Sequence, residues 1–198
     1  MMYVAPISTR NQFGCLLNEL GLTGQAVEIG THRADFAADF LYNWRGQKLL
    51  CVDPWKNPPG YEYQAARLWG GAQTRYQDYE QARLNLAPYK GRAVLFMGTS
   101  EQAKAGVADS TLDFVHLDGD HTEPAVTQDI TWWWPKLKPG GILAGHDIVC
   151  PGEPDGLWGR FIQPAVLKFA SVENVHIQLV VEEGGQPWSY YLIKPGVR

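Results

Sequence analysis

Two stretches constrain the fold of this chain more than any others: Leu112-Asp-Phe-Val-His-Leu-Asp-Gly-Asp-His121 and Leu137-Lys-Pro-Gly-Gly-Ile-Leu-Ala-Gly-His-Asp147. Each is a short apolar run that ends in a cluster of Asp and His, and a helix-length segment separates them. Similar runs stand at Gln25–Gly30, Lys48–Asp53 and Arg92–Met97, again with helical patterns between them. Strands alternating with helices build βαβ units and a parallel sheet. Near the end, Val175–Val181 and Ser189–Ile193 are joined by Glu-Glu-Gly-Gly-Gln-Pro and read as an antiparallel pair at one edge. The expected fold is α/β: a doubly wound, mostly parallel, seven-stranded sheet with a C-terminal antiparallel hairpin.

The helices show in the spacing of apolar residues. Residues 8–21 carry Phe13, Leu16, Leu17 and Leu20 at helical intervals before Gly21, and Asp35–Trp44 places Phe36, Phe40, Leu41 and Trp44 on one face. The breaker run Asn57-Pro-Pro-Gly60 precedes a polar helical stretch to about Leu86. Gly98-Thr-Ser100 caps a further helix, Thr122–Leu137 is a helix carrying Trp132, Trp133 and Trp134, and another lies near 160–172. All of 1–198 is expected to be one domain, with 1–24 as an N-terminal helical extension.

Composition narrows the partners. Hydrophobic residues make up 45% and charged residues 19%, with a net charge of −4, so no basic stripe exists to hold a phosphate backbone and nucleic acid is excluded as a partner. No run approaches the length of a membrane span, and the first residues lack the charged and apolar segments of a signal peptide. Cys15, Cys51 and Cys150 are odd in number and in no metal spacing. They are expected to be buried thiols in a reducing cytoplasm. Trp55, Trp158 and Trp188 sit beside Pro or Gly, where a flat wall for a ligand could stand.

The turn Gly30-Thr-His-Arg-Ala-Asp35 lacks the glycines that a dinucleotide fingerprint needs at the positions of His32 and Asp35. Yet Glu28 sits inside the first strand and Asp53 ends the second, where an acid can accept both hydroxyls of a ribose. A nucleoside without phosphates fits better, and a ligand with an ammonium and a sulfonium would welcome both carboxylates.

With Val27-Glu-Ile-Gly-Thr-His-Arg33, Val52-Asp53, Met97-Gly-Thr-Ser-Glu101 and the two Asp/His stretches in this order, the chain resembles the class I S-adenosylmethionine-dependent methyltransferases. Among these it is most similar to the small-molecule O-methyltransferases of the catechol and antibiotic-sugar kind. The resemblance implies S-adenosylmethionine as cofactor and a Rossmann-like methyltransferase fold. It puts Glu28, Gly30, Thr31 and His32 beside the methionine and sugar, Asp53 on the ribose, Thr99, Ser100 and Glu101 along the adenine, and Asp118 also at the cofactor. The family's Gly-x-Gly-x-Gly loop keeps only Gly30 here, with His32 and Ala34 at the other two places.

In an open parallel sheet ligands gather at the carboxyl ends of the strands, so Asp118, Asp120, His121, His146 and Asp147 would converge on one edge. Methyl transfer to oxygen needs an acceptor held in line and relieved of its proton. By resemblance, Asp118 and Asp147 would hold a divalent ion (Mg²⁺ or Mn²⁺) and His121 would be the general base; His146, a further candidate ligand, departs from the acidic or amide residue of the family's pattern and is either a ligand to a softer ion or a group that supports the ligands. The imidazole of His146 suits Mn²⁺ better than Mg²⁺. His116 is expected to be a satisfied core histidine, and Asp120 to be local to its turn. The acceptor is expected to be the hydroxyl of a small molecule, an aromatic or sugar diol, near the loops 54–62 and 148–160 with Asp155, Trp158 and Arg160. Homodimerisation stays open. The alternatives are a non-catalytic S-adenosylmethionine- or nucleoside-binding module and, further off, a nicotinamide-dependent oxidoreductase.

Overall fold

The alternation of apolar runs and helices becomes one mixed sheet in a computed structural model that describes residues 1–56, 72–149 and 159–196. Its strands are β1 (Met2–Val4), β2 (Gln25–Ile29), β3 (Lys48–Asp53), β4 (Ala93–Met97), β5 (Leu112–Leu117), β6 (Leu137–Val149), β7 (Ile177–Val180) and β8 (Trp188–Ile193). They lie in the order β1-β7-β8-β6-β5-β2-β3-β4. Only β8 runs antiparallel to its neighbours, β6 and β7. The count is eight rather than the expected seven, because the opening segment supplies a strand ahead of its helix: Met2–Val4 pairs in parallel with β7. With exposed Met2, Tyr3 and Val4, that strand offers no burial pattern from which it could be read.

The helices are α1 (Phe13–Glu19), α2 (Asp35–Asn43), α3 (Ala72–Leu86), α4 (Ser100–Lys104), α5 (Glu123–Trp133) and α6 (Gly159–Val172). One layer packs Phe13, Leu16 and Leu17 of α1, Phe36, Phe40 and Leu41 of α2 and Ala82 and Leu86 of α3 onto Leu49, Cys51 and Phe114. The other layer sets Val126, Ile130 and Trp133 of α5 and Ile162 and Val166 of α6 against Val27, Val115 and Leu143. All six residues of β5 are buried, as a parallel strand covered on both faces requires. Leu20 instead is 51% exposed, since α1 ends a residue before it, and the Cys15 thiol faces solvent rather than the core. Cys51 is buried as expected. α5 also ends earlier than expected, passing at Trp134–Lys136 into a tighter turn that contains Pro135. β6 then takes in Pro139-Gly-Gly141, which was expected to precede it.

Aromatic rings join helix and sheet on the α1/α2 face. Phe114 stacks on Phe40 with centroids 5.1 Å apart and meets Phe13 at 5.4 Å. A large side chain buried this way loses both its transfer energy and its packing when truncated. Phe114→Ala is therefore expected to cost about 3–5 kcal/mol in urea denaturation, whereas Tyr42→Ala, at a residue 81% exposed, should stay within about 0.5 kcal/mol.

Candidate active site

β2 and β5 are neighbours, but the chain leaves β2 toward β3 and leaves β5 toward β6, on the other side. This is the switch point of the sheet, where a crevice opens at the strand ends. The two ends press together. Asp118 donates its N–H to the Ile29 carbonyl at 2.8 Å, and a Cβ on Gly30 would collide with the Asp118 carbonyl and lie 2.8 Å from Gly119 Cα. Gly30 also has φ +88°, which only glycine adopts freely.

The loop beyond Gly30 is held by carboxylates. Asp53, at the end of β3, accepts the His32 N–H at 2.9 Å, the Trp55 N–H at 2.7 Å and the Arg75 guanidinium at 3.1 Å. Trp55 is buried, not a loop wall, and its indole donates to the His32 carbonyl at 2.8 Å. Asp78 of α3, almost wholly buried, takes Arg33 Nε at 2.7 Å and His32 Nε2 at 3.2 Å. The His32 ring is thus turned to α3.

Beneath the loop lies Glu28, 2% exposed, opposite Cys51 on β3 and His116 on β5. Burial pushes its carboxyl up to about 8, opposed only in part by the Thr31 hydroxyl, and its Oε2 has no hydrogen-bond partner among the described residues. Burial likewise raises the Cys51 thiol, with the Glu28 charge adding to it. His116 is buried as expected but not satisfied. Its ring stacks on Phe36 at 4.0 Å, neither nitrogen has a partner among the described residues, and burial lowers its pKa to about 3. At the start of α4, Thr99 forms a capping box with Gln102. The Ser100 hydroxyl donates to Asp129 and accepts the Trp133 indole N–H at 2.8 Å, so it is more than a helix starter. Burial raises Asp129 to about 6 against that hydrogen bond. Glu101 lies exposed in the first turn.

The Asp/His edge converges as the strand ends require. Asp118, His121 and Asp147 each bring a ligand atom within 4.8 Å of the other two. His121 lies between the acids, with Nε2 3.3 Å from Asp118 Oδ1 and Nδ1 3.4 Å from Asp147 Oδ2. His146 sits beside this group, Nδ1 2.9 Å from Asp147 Oδ1 and 4.0 Å from Asp118 Oδ1. A bulge aims the second pair: Gly145 faces Tyr190 and Val149 faces Trp188, so three residues of β6 stand against Ser189 alone. Asp147 there has φ 58°, an uncommon conformation for a non-glycine residue. Burial acts to lower His121, but the hydrogen bond and charge of Asp118 and the charge of Asp147 win, and its pKa is raised. Burial acts to raise Asp118, yet His121, the other histidines and Arg10 hold it well below the usual carboxylate range. Asp120 stays local, accepting the Thr122 N–H at 2.9 Å.

Arg10, Arg75, Asp78 and Asp129 take part in these networks without having been singled out from the sequence. Arg10 Nη1 lies 3.1 Å from Asp118 Oδ2. Nothing local marks such residues, because their partners are distant in the chain. Asp155 and Trp158 lie outside the described residues. Arg160 is exposed in the first turn of α6, over the Phe161 ring at 4.8 Å. Among the described residues no helix is long and apolar enough to cross a membrane.

Residues 27–148 match a family described as a methyltransferase domain. The match covers more than half of the 198 residues, and the chain belongs to this family. The resemblance to the class I methyltransferases is borne out. The uncharacterised protein y4gI of Sinorhizobium fredii is 23% identical over 151 residues; the aligned part is 72% of this chain but spans only 15% of that relative's length. Three solved structures share the fold. A methyltransferase from Geobacter sulfurreducens has a TM-score of 0.63 at 15% identity, covering 96% of this chain and 81% of its own. An O-methyltransferase from Bacillus cereus in complex with S-adenosylhomocysteine has 0.60 at 15%, covering 96% and 82%. TomG, an O-methyltransferase of tomaymycin synthesis from Streptomyces achromogenes in complex with S-adenosylmethionine, has 0.60 at 17%, covering 96% and 82%.

The Glu28 carboxyl has a pH signature. Its folded pKa of about 8 lies above the ordinary 4.5, so the folded state holds a proton that the unfolded chain releases first. Stability from Glu28 is present below about pH 4.5 and is lost as pH rises toward about 8. Glu28→Gln removes this dependence. Across that window the wild type should lose on the order of a few kcal/mol relative to the variant in urea denaturation, and a pH-independent difference would mean that Glu28 is ionised in the fold.

Proposed function

We propose that the protein transfers the methyl group of S-adenosylmethionine to a hydroxyl of a small molecule, with metal assistance. The observation that carries this is the convergence of Asp118, His121 and Asp147 within 4.8 Å, beside the Gly30 turn at the switch point. A module that only binds a nucleoside needs no such group.

The crevice suits the cofactor. The missing Cβ at Gly30 lets the end of β5 close against the turn and so forms the wall of the crevice, and Glu28 Oε2, without a partner among the described residues, offers an acceptor below the loop. Asp53 already takes three donors, but a carboxylate has about four acceptor positions, which leaves one for a ribose hydroxyl. Thr99, Ser100 and Glu101 border the adenine side, with Ser100 fixed by Asp129 and Trp133. The cofactor would supply a methyl group activated on a sulfonium.

Asp118 and Asp147 would hold the divalent ion, with His146 beside Asp147 as a third donor or as the group that orients it. Such an ion lowers the pKa of a bound hydroxyl and fixes its direction. With both carboxylates so engaged, the charges that raise the His121 pKa would be offset, and its imidazole would be better able to take the acceptor's proton. The acceptor oxygen would bond to the methyl carbon as the carbon–sulfur bond breaks, its proton passing to His121 and S-adenosylhomocysteine leaving as the neutral thioether. Hydroxyls on adjacent carbons could chelate such an ion together, which favours a vicinal diol as acceptor. The free Cys15 and Cys51 thiols suit a reducing, cytoplasmic setting.

Calorimetric titration of metal-stripped protein with S-adenosylhomocysteine, with and without Mg²⁺ and Mn²⁺ and with NAD as control, tests this. Nucleoside binding without NAD binding is expected, and a metal signal that disappears in Asp147→Ala. Failure to bind S-adenosylhomocysteine would sink the proposal. With an acceptor in hand, His121→Ala should lower kcat by about 10²–10⁴-fold while cofactor affinity holds; full activity in that variant would remove the base.

A further inference from the structure

We infer that Arg10 receives the carboxylate at the amino-acid end of the methyl donor, forming with Asp118 a charge pair complementary to that zwitterion; the inference rests on the proposed cofactor. The acids around the crevice make a counter-charge necessary. Asp53, Asp118 and Asp147 all reach the strand ends, and they suit an ammonium and a sulfonium. They would repel a carboxylate carried a few ångströms away on the same ligand. Arg33 and Arg75 are committed to Asp78 and Asp53 on the α3 side. Arg10 stands at the opposite side, against Asp118 and above the Phe36 ring at 5.7 Å.

Its placement is built by three hydrogen bonds to one carboxylate. Glu182 accepts the Thr9 hydroxyl at 3.1 Å, the Arg10 N–H at 3.1 Å and the Ser189 hydroxyl at 3.3 Å. Thr9 caps the short turn Arg10–Gln12, which runs directly into α1 and the buried Phe13. An ion pair with a side chain 30% exposed adds little to stability, so stability alone gives no reason for so firm an anchor.

The geometry also divides Asp118. Its Oδ2 faces Arg10 while Oδ1 faces His121 and His146, so the guanidinium sits on the edge of the carboxylate away from the metal-binding group. Only Nη1 of Arg10 is engaged among the described residues, which leaves N–H donors in a planar fork suited to a second carboxylate. A ligand ammonium beside Asp118 and a ligand carboxylate beside Arg10 would complete a four-charge square.

The test compares S-adenosylhomocysteine with 5′-methylthioadenosine, the same nucleoside thioether without the amino-acid end, by calorimetry on wild type, Arg10→Met and Arg10→Lys. Thermal unfolding reports that each variant is folded. Arg10→Met should weaken S-adenosylhomocysteine by about ten- to hundredfold, the range for hydrogen bonds to charged groups, and leave methylthioadenosine within about twofold. Arg10→Lys should recover part of the loss. Unchanged affinity for S-adenosylhomocysteine, or equal loss for both ligands, would overturn the assignment. So would intact cofactor binding with a raised KM for carboxylated acceptors, which would give Arg10 to the acceptor instead. If the wild type binds neither nucleoside, the cofactor proposal itself fails and this assignment with it.

Discussion

The close approach of β2 and β5 is the constraint on which the rest of the molecule depends. The Asp118 N–H bonded to the Ile29 carbonyl and the absent side chain of Gly30 bring two strand ends together just where the chain reverses its direction across the sheet. One strand end carries the loop that follows Gly30, and the other carries Asp118 and, three residues on, His121. A bulkier residue at position 30 would part the strands and separate the loop after Gly30 from the Asp/His side of the crevice. The pairing of β5 with β6 then adds His146 and Asp147 to the same edge.

Within that edge, a proton on His121 and the divalent ion proposed above would contend for the same two carboxylates. His121 lies between Asp118 and Asp147, whose charges raise its pKa against the effect of burial. An imidazolium there satisfies both acids electrostatically, but it is no base. Divalent charge on the acids would reverse the balance, since it supplies the neutralisation that the imidazolium otherwise provides. Under the proposed function, metal loading and base strength would be two aspects of one electrostatic equilibrium, and metal affinity would fall with falling pH.

Much of this was legible in the sequence, and unevenly. The interior strands and α2 could be placed from apolar runs and 3.6-residue spacing, because burial on both faces leaves a strong pattern. The convergence of Asp118, His121 and Asp147 followed from strand ends alone. β1 was missed because an exposed edge strand need not be apolar in any rhythm, and Leu20 and Cys15 were placed inside because spacing cannot say where a helix stops. Arg10, Arg75, Asp78 and Glu182 were invisible for another reason: each acts through a partner that only the folded chain brings near.

The loop after Gly30 shows how distant partners let the sequence depart from a glycine pattern. His32 and Ala34 stand where the family has glycines, and both adopt positive φ, 50° and 63°. Non-glycine residues held in such conformations cost about 1–3 kcal/mol each, so something must over-determine the backbone. Asp53 fixes the His32 N–H, Trp55 fixes the His32 carbonyl, and Asp78 draws the His32 and Arg33 side chains to α3. Flexibility that glycine would provide locally is replaced by hydrogen bonds from three separate elements. The consequence is a stiffer loop whose shape depends on α3 and β3 as much as on its own residues, and Asp53 therefore shapes the crevice as well as lining it. Losing the Asp53 carboxylate would release the His32 N–H, the Trp55 N–H and the Arg75 guanidinium together, and so loosen the loop from β3 and α3 at once.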